Sequence, residues 1–416
     1  MSRRVVVTGM GIISPLGNDV ETYWQNIKNG EVGISLIGDR VPDMVGIKTK
    51  VAALVKDFNP ADWVSRMEVR RYDLFTHYAM AASMQAMEHA GLDIVNINYD
   101  SERLGVAIGS GVGGAATWEK EFRNYLIEKK AKPGPLFIPM MLANMATGNV
   151  AIKVKAQGPT PALVTACAAA TQSIGEAYRL IQHNYADMML AGGTEAPITR
   201  LAIAGFEALT ALSLSEDPLR ASIPFDKDRN GFVMGEGSGV LMLEEYEHAK
   251  ARGAKIHAEI IGYGITSDAH HMTSPDPEGK GASRAMQYAI SEGGITPADI
   301  DYINAHGTST PYNDAFETLA IKKVFGDHAN KVAVSSTKSM VGHLLGASGG
   351  VEAIATIRAL QEGFIPPTAG LEQTSEEMDL DYVPKVGRKV ELKYAISNSF
   401  GFGGHNGTIA LKKYEE

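Results

Sequence analysis

The chain reads as an α/β protein built twice over, and three observations carry that expectation. Val/Ile-rich stretches end in glycine turns, each is followed by a helical pattern, and the same order of elements occurs in both halves. The first half opens with a strand into a glycine turn, RRVVVTGMG, and the second repeats it at KIHAEIIGYGI, from Lys255. A helix follows in each, LFTHYAMAASMQAMEHAGLD and GASRAMQYAISEGGI. Then come strands closing in polar glycine turns, ERLGVAIGSGVGG and PADIDYINAHGTSTP. A strand feeding a helix of small residues is next, ALVTACAAATQSIGEA and KVAVSSTKSMVGHLLGASGGVEAIATIRAL. Each half closes with a strand of glycine-rich end, DMMLAGGTEA and KYAISNSFGFGG. Two α/β halves related by a pseudo-twofold are expected, residues 1–254 and 255–416.

The two small-residue helices are nearly free of charge, which exposed helices are not. Ala168, Ala169, Ala170 and Gly175 mark one; Gly342, Gly346, Ala347, Gly349 and Gly350 mark the other. Both are expected between layers, where small side chains let backbones approach. That arrangement brings Cys167 close to the start of the other half's helix.

At 416 residues and 44% hydrophobic, the chain can bury one large core or two fused ones. A net charge of −9 argues against general attraction to nucleic acid or to an anionic membrane. The N-terminal apolar run is broken by glycines at once and reads as a first strand, not a signal peptide. No stretch approaches the ~20 apolar residues needed to span a bilayer. One cysteine excludes an internal disulfide framework and suits a reducing compartment, so a soluble cytoplasmic protein is expected.

That cysteine, Cys167, stands where an apolar stretch, Ala162 to Thr165, is predicted to hand a strand over to a helix. A thiol at a helix N-terminus feels the positive end of the dipole, which favours thiolate. The alternative is a small buried hydrophobe. His306 follows the predicted strand YINA and precedes a Gly/Thr/Ser turn, a position where catalytic groups collect. His343 lies five residues past Lys338 in an otherwise uncharged stretch, which predicts a polar pocket. Glu352, farther along the same helix, is the candidate partner for Lys338 or for a bound cation. NSFGFGGHNG offers closely approaching amides that suit an oxyanion hole or a tight turn.

Other signals are weak. Gly9-Met10-Gly11 starts like a dinucleotide fingerprint, but Ser14 takes the third glycine position and no acidic residue follows at the required distance. Asp268, His270 and His271 could ligate a metal, yet an ordinary hydrogen-bonded loop explains them as well. No metal site is expected.

The motifs converge on one family. VVVTGMGIISPLGN, IGSGVGG, TACAAATQSIG, PFDKDRNGFVMGEGSGVLMLEEYEHAKARGA, DAHHMTSP, NAHGTSTP, STKSMVGHLLGASGG and NSFGFGGHNG occur in family order over nearly the whole length. The chain resembles the β-ketoacyl-acyl-carrier-protein synthases, of the synthase II type that elongates fatty acids. The resemblance implies a thiolase-like fold, two duplicated α/β halves in a five-layer α-β-α-β-α sandwich, and a homodimer. It implies that Cys167 accepts an acyl chain from the carrier protein, and that His306 and His343 promote decarboxylation of malonyl-carrier protein. Lys338 and Glu352 match a charged pair that orders the site. Thr308 and Thr310 match threonines that bind the phosphopantetheine arm. Phe402 matches a gating residue whose N–H joins that of Cys167 in the oxyanion hole. Ile108 and Phe206 match pocket-lining positions. The arm arrives with the substrate, so no cofactor is expected beyond a structural monovalent cation near Asn304, Glu352 and Asn398.

Two departures stand out. His405 follows FGFGG where many members have threonine, and Leu214-Ser215 replace a Thr-Arg pair, removing a basic residue implicated in carrier docking. An acidic carrier then needs a local positive patch, for which Arg66, Arg70, Arg71, Lys129, Lys130 and Lys132 are the candidates. Two rivals are a type II polyketide ketosynthase and a non-catalytic carrier-binding subunit akin to chain-length factors. Thiolase activity is disfavoured because a second catalytic cysteine is missing.

Overall fold

In a computed structural model, which describes residues 3–415, the β-rich segments form one continuous nine-stranded sheet. In the first half these are β1 (Val5–Ile13), β2 (Leu104–Gly109), β3 (Met188–Glu195) and β4 (Gly237–Glu245). The second half supplies β5 (Ala258–Ser267), β6 (Tyr302–Asn304), β7 (Ala333–Ser335), β8 (Tyr394–Gly401) and β9 (His405–Lys413). The spatial order is β2-β3-β4-β1-β5-β9-β8-β6-β7.

The duplication is written into this order. In the second half, the third strand lies outermost, then the second, fourth, fifth and first. The first half repeats the sequence if the segment 159–165 is taken as its third, outermost strand. Directions match too: β2 runs parallel to β3 as β6 runs parallel to β8, and β4 and β9 are antiparallel to both neighbours. The halves join where their first strands pair, Val5 opposite Ile260 and Val7 opposite Ala258.

Segment 159–165 is not the strand expected before Cys167. It touches β2 through two bonds, Val106 N–H to Pro159 O (3.0 Å) and Ser110 N–H to Leu163 O (3.3 Å), and forms no regular ladder. Pro159 and Pro161 each remove a backbone donor, which suits an edge and interrupts a ladder.

The helices that build the layers and position the site are α1 (Leu74–His89), α2 (Met145–Val154), α3 (Ala169–Gln182), α4 (Arg200–Ala208), α5 (Lys280–Glu292), α6 (Pro311–Phe325) and α7 (Ser348–Glu362). α1 covers the outer face of β1 and β4, and α5 that of β5 and β9. α3 and α7 lie between the two halves of this sheet, α3 touching β3 and β9 and α7 touching β4 and β8, so the layering is the expected α-β-α-β-α. Their small residues are required there. A Cβ on Gly350 of α7 would stand 2.2 Å from the carbonyl oxygen of Gly239 in β4. Such backbone contact between helix and strand is open only to glycine. The inner core around these helices is aliphatic and aromatic, with Tyr23, Trp24, Ile174, Ile181, Val351, Ile354 and Ile357 fully or almost fully buried.

Candidate active site

Between α3 and the loops that follow β6 and β8 opens a cavity of about 560 Å³, lined from both halves of the chain. Cys167, Phe206, Phe232, His306, Thr308, Thr310, His343, Phe400 and Phe402 all border it. Segments distant in sequence therefore converge on one space, as the small-residue helices led one to expect.

Cys167 sits in a tight turn, Ala166–Ala168, that runs directly into α3. The turn holds Ala166 at φ 50°, a left-handed conformation that costs an alanine energy and persists only where the surroundings enforce it. The enforcement comes from β8. A Cβ on Gly401 would lie 2.9 Å from Thr165 O and 3.1 Å from Cys167 N, so β8 packs its backbone against the nucleophile turn. Phe402 follows at once, and its ring lies 6.4 Å from that of Phe206 on α4.

The thiol itself differs from the expectation. Burial pushes Cys167 up to about 12; Lys338 pulls it down, while Glu195 and Glu352 push it up. Dehydration and two nearby carboxylates act against the thiolate that a helix end favours. At neutral pH the resting group is a thiol.

His306 follows β6, and α6 holds its loop. Both oxygens of the buried Glu317 accept from it, from His306 N–H (2.8 Å) and Gly307 N–H (2.7 Å). Asp314, one turn earlier on α6, accepts Thr308 N–H (3.0 Å) and Phe225 N–H (2.9 Å). Burial lifts Glu317 to about 7 despite its donors. Pro311 at the first turn of α6 starts the helix that carries both carboxylates. The Thr308 and Thr310 hydroxyls lie 2.9 Å apart at the cavity wall.

His343 is fixed through its main chain. Its N–H donates to Val233 O (2.7 Å), and its carbonyl accepts from Gly235 N–H (2.8 Å). Its Nδ1 meets the Ser348 hydroxyl at 2.9 Å. The His306 and His343 rings stand 5.4 Å apart and nearly perpendicular, at 85°. Burial, Lys338 and His343 hold His306 well below the usual histidine range; burial and Lys338 do the same to His343. Both imidazoles are therefore neutral, each with one N–H to donate.

Lys338 and Glu352 form a fully buried ion pair, and Lys338 Nζ also lies 3.4 Å from His306 Nδ1. An ammonium has only donors, so Nδ1 accepts and the His306 proton sits on Nε2. Removing one member of such a pair leaves an uncompensated buried charge, a loss of roughly 3–5 kcal/mol.

The remaining expected residues separate. Ile108 does not border the cavity; it is buried in the β2–α2 core, its main chain bonded in both directions to the Thr147 hydroxyl. Arg66, Arg70, Arg71, Lys129, Lys130 and Lys132 are exposed on the surface, outside the cavity lining. Ser215 closes a local turn through its hydroxyl with Asp217, and Leu214 is half-exposed. Asp268 does border the cavity, but its oxygens serve Asn406 Nδ2 (2.7 Å) and Asp276 N–H (3.2 Å). His271 Nδ1 accepts from the backbone of Thr273 and Ser274. Among the described residues, no cluster of His, Cys, Asp or Glu is arranged to hold a metal ion, and no helix is long and apolar enough to cross a membrane.

Ser348, Asp314, Glu317 and Glu195 were not singled out from the sequence. A signal existed for Glu195, a lone acid in the uncharged run MLAGGTEAPIT, and for Asp314 and Glu317, spaced to share a face of α6.

Comparison with known proteins bears on this geometry. Residues 2–249 match the model of the β-ketoacyl synthase N-terminal domain and 257–372 that of the C-terminal domain. A 3-oxoacyl-[acyl-carrier-protein] synthase 2 from Synechocystis sp. is 51% identical over 414 residues, 99% of each chain. A β-ketoacyl synthase structure from Burkholderia phymatum superposes with a TM-score of 0.91 at 35% identity, covering 99% of this chain and 100% of that one. So does a type II polyketide ketosynthase in complex with its acyl-carrier protein, at TM-score 0.91 and 35% identity over the full length of both chains. The fold is thiolase-like, and the chain belongs to the β-ketoacyl synthase family.

Proposed function

We propose that the protein elongates fatty acids, condensing an acyl group held on Cys167 with malonyl-acyl-carrier protein and releasing carbon dioxide. The observation that carries this reading is the meeting of one thiol and two neutral imidazoles in a single cavity. In the first step Cys167 sulfur attacks the acyl thioester, and the cysteine proton passes across the cavity to the departing sulfur, so the carrier's arm leaves as its thiol. The N–H groups of Cys167 and Phe402 receive the oxyanion; one such donor contributes roughly 3 kcal/mol.

In the second step the malonyl carbon–carboxylate bond breaks, carbon dioxide departs, and the electron pair forms an enolate on the thioester oxygen. N–H donors from His306 and His343 stabilise that oxygen without protonating the carbon. The carbon attacks the acyl carbonyl, the carbon–carbon bond forms, and the Cys167 thiolate leaves. Lys338 and Glu352 act by holding His306 in its Nε2–H tautomer. Thr308 and Thr310 hydrogen-bond the arm, and Phe402 gates the space in front of Cys167.

A polyketide ketosynthase would use the same residues, but the synthase 2 relative is 51% identical where the polyketide ketosynthase is 35%. A non-catalytic carrier-binding subunit has no need of an enforced nucleophile turn. The partner is an acyl carrier protein, and the chain acts as a homodimer, supported by the open edge at 159–165 with Val164 half-exposed. We place the junction of the halves at 254/255, and the enzyme in the cytoplasm, where its working thiol stays reduced.

No cofactor is required. A monovalent cation would suit the place beside the ion pair, because Asn304 Oδ1 and Glu352 Oε2 are buried oxygens without partners. Asn304 and Glu352 would hold it, whereas Asn398 is already engaged with Glu317 and Thr408. Such an ion would supply charge balance next to Lys338 and Glu352. The test of function is condensation of acyl- and malonyl-carrier protein across a series of chain lengths. Long saturated or unsaturated β-ketoacyl products support the reading; products restricted to poly-β-keto chains reject it.

A further inference from the structure

We propose that Glu195 is a positioning residue for this reaction: its carboxylate clamps the loop after β2 to the turn after His343 and places a buried negative charge beside the nucleophile turn. This rests on the condensing role assigned above.

Glu195 ends β3 with no exposed surface. Oε1 accepts from Ser110 Oγ (2.8 Å) and Val112 N–H (3.1 Å). Oε2 accepts from Gly111 N–H (2.6 Å) and, across the two halves, from Gly346 N–H (2.9 Å). The Ser110 oxygen takes Gly113 N–H at 2.9 Å, so its own proton is committed to Glu195. A protonated acid would set its hydrogen against this ring of donors, so the carboxylate is charged although burial works against it.

The location gives the charge a purpose. A Cβ on Gly346 would lie 2.3 Å from Gly111 N and 2.6 Å from Glu195 Oε2. A Cβ on Gly111 would stand 2.8 Å from Glu195 Oε2 and 3.7 Å from Ala166 Cα, the residue before the nucleophile. The carboxylate thus occupies the crossing of two main chains whose neighbours, Val112 and Leu345, border the cavity. The charged groups acting on Cys167 are Lys338, Glu195 and Glu352, with His306 and His343 neutral in the same space. Lys338 favours thiolate and Glu195 opposes it. The opposition keeps the sulfur weakly nucleophilic at rest and protects it from stray alkylation and oxidation.

Glu195→Gln keeps the shape, removes the charge and turns an amide against the donors. Iodoacetamide labelling of Cys167 at pH 8 is expected to speed up on the order of three- to tenfold, since a lower thiol pKa raises the thiolate fraction more than it lowers nucleophilicity. Condensation kcat falls at least tenfold. Gly346→Ala leaves the charge and opens the clamp; condensation falls as far while the pH profile of alkylation stays wild-type. A purely structural glutamate would not move that profile. A Glu195→Gln enzyme alkylated like wild type overturns the proposal whatever its condensation rate, and so does a Gly346→Ala enzyme that condenses normally. Should Glu195→Gln prove insoluble, Glu195→Asp replaces it: slowed condensation with wild-type alkylation supports the clamp, and wild-type condensation overturns it. Alkylation needs no condensation, so a failure here is distinct from a failure of the assigned function, which Cys167→Ala tests.

Discussion

The Lys338 ammonium lies 3.4 Å from Nδ1 of His306 while paired with the Glu352 carboxylate, so one buried cation sets both the tautomer and the charge of an imidazole facing the cavity. That contact links an ion pair costly to bury with the chemistry it serves. Buried pairs of this kind add little net stability in general. Its value here is to leave Nε2–H, and not Nε2, facing the space where an enolate oxygen forms.

Lys338→Met therefore acts on rate and on pH together. Without the neighbouring cation, His306 rises toward the ordinary histidine value and becomes imidazolium at higher pH than in the wild type. Decarboxylation of malonyl-carrier protein at neutral pH is expected to fall at least tenfold, and its acid limb to move to higher pH. Carbon dioxide release as a function of pH checks both; an unmoved limb contradicts the assigned contact.

Gly401→Ala tests the packing of β8 against the nucleophile. The new methyl would press on Thr165 O at 2.9 Å and Cys167 N at 3.1 Å, disturbing the N–H that receives the oxyanion. Loss of one such donor corresponds to roughly a hundredfold or more in rate. Acylation of Cys167 by acyl-carrier protein, followed by stopped-flow or quench and mass spectrometry, should slow accordingly while carrier binding is retained.

Gly350→Ala probes the inner layer without touching the site. Its methyl meets the Gly239 carbonyl at 2.2 Å, forcing α7 away from β4. Overpacking of this kind costs about 1–3 kcal/mol. A clear drop in melting temperature is expected, and wild-type stability would show that the layers can separate at little cost.

A buried histidine pair where the halves join predicts sensitivity to acid. The His89 and His257 rings are 4.3 Å apart, and burial, His89, Lys255 and Arg358 hold His257 down at about 3. In the unfolded chain it titrates near the usual ~6.5. The unfolded state thus binds the extra proton below that value, and stability falls as pH drops from there toward the folded-state value. Melting temperature should decline between pH 7 and pH 5, and His257→Gln should flatten the decline. An equal slope in both proteins would exclude this pair as the cause.

The doubled plan was readable because every element recurs in the same order, and the glycines of α7 announce backbone contact. Cys167 and His306 were legible from their places at the ends of predicted strands, and His343 and Lys338 as polar groups beside an almost uncharged helix start; the roles given to them came from the family resemblance. The edge segment 159–165 was misread because apolar composition spoke for a strand while Pro159 and Pro161 had already removed its ladder donors. The state of the thiol was misread for a different reason. A helix end is visible in sequence, but the convergence of Glu195 and Glu352 on Cys167 is a product of tertiary packing. Ile108 points into a core that only the pairing of β2 with α2 defines.

The central claim is that a sulfur from the first half and two imidazoles from the second work on one bound substrate pair. Its most direct measurement is single-turnover mass spectrometry of the acyl-enzyme. The acyl mass should appear on the Cys167 peptide, persist with buffer alone, and leave as β-ketoacyl product on addition of malonyl-carrier protein, in wild type but not in His306→Ala or His343→Ala. An acyl group found elsewhere, or a Cys167→Ala enzyme that still condenses, contradicts it.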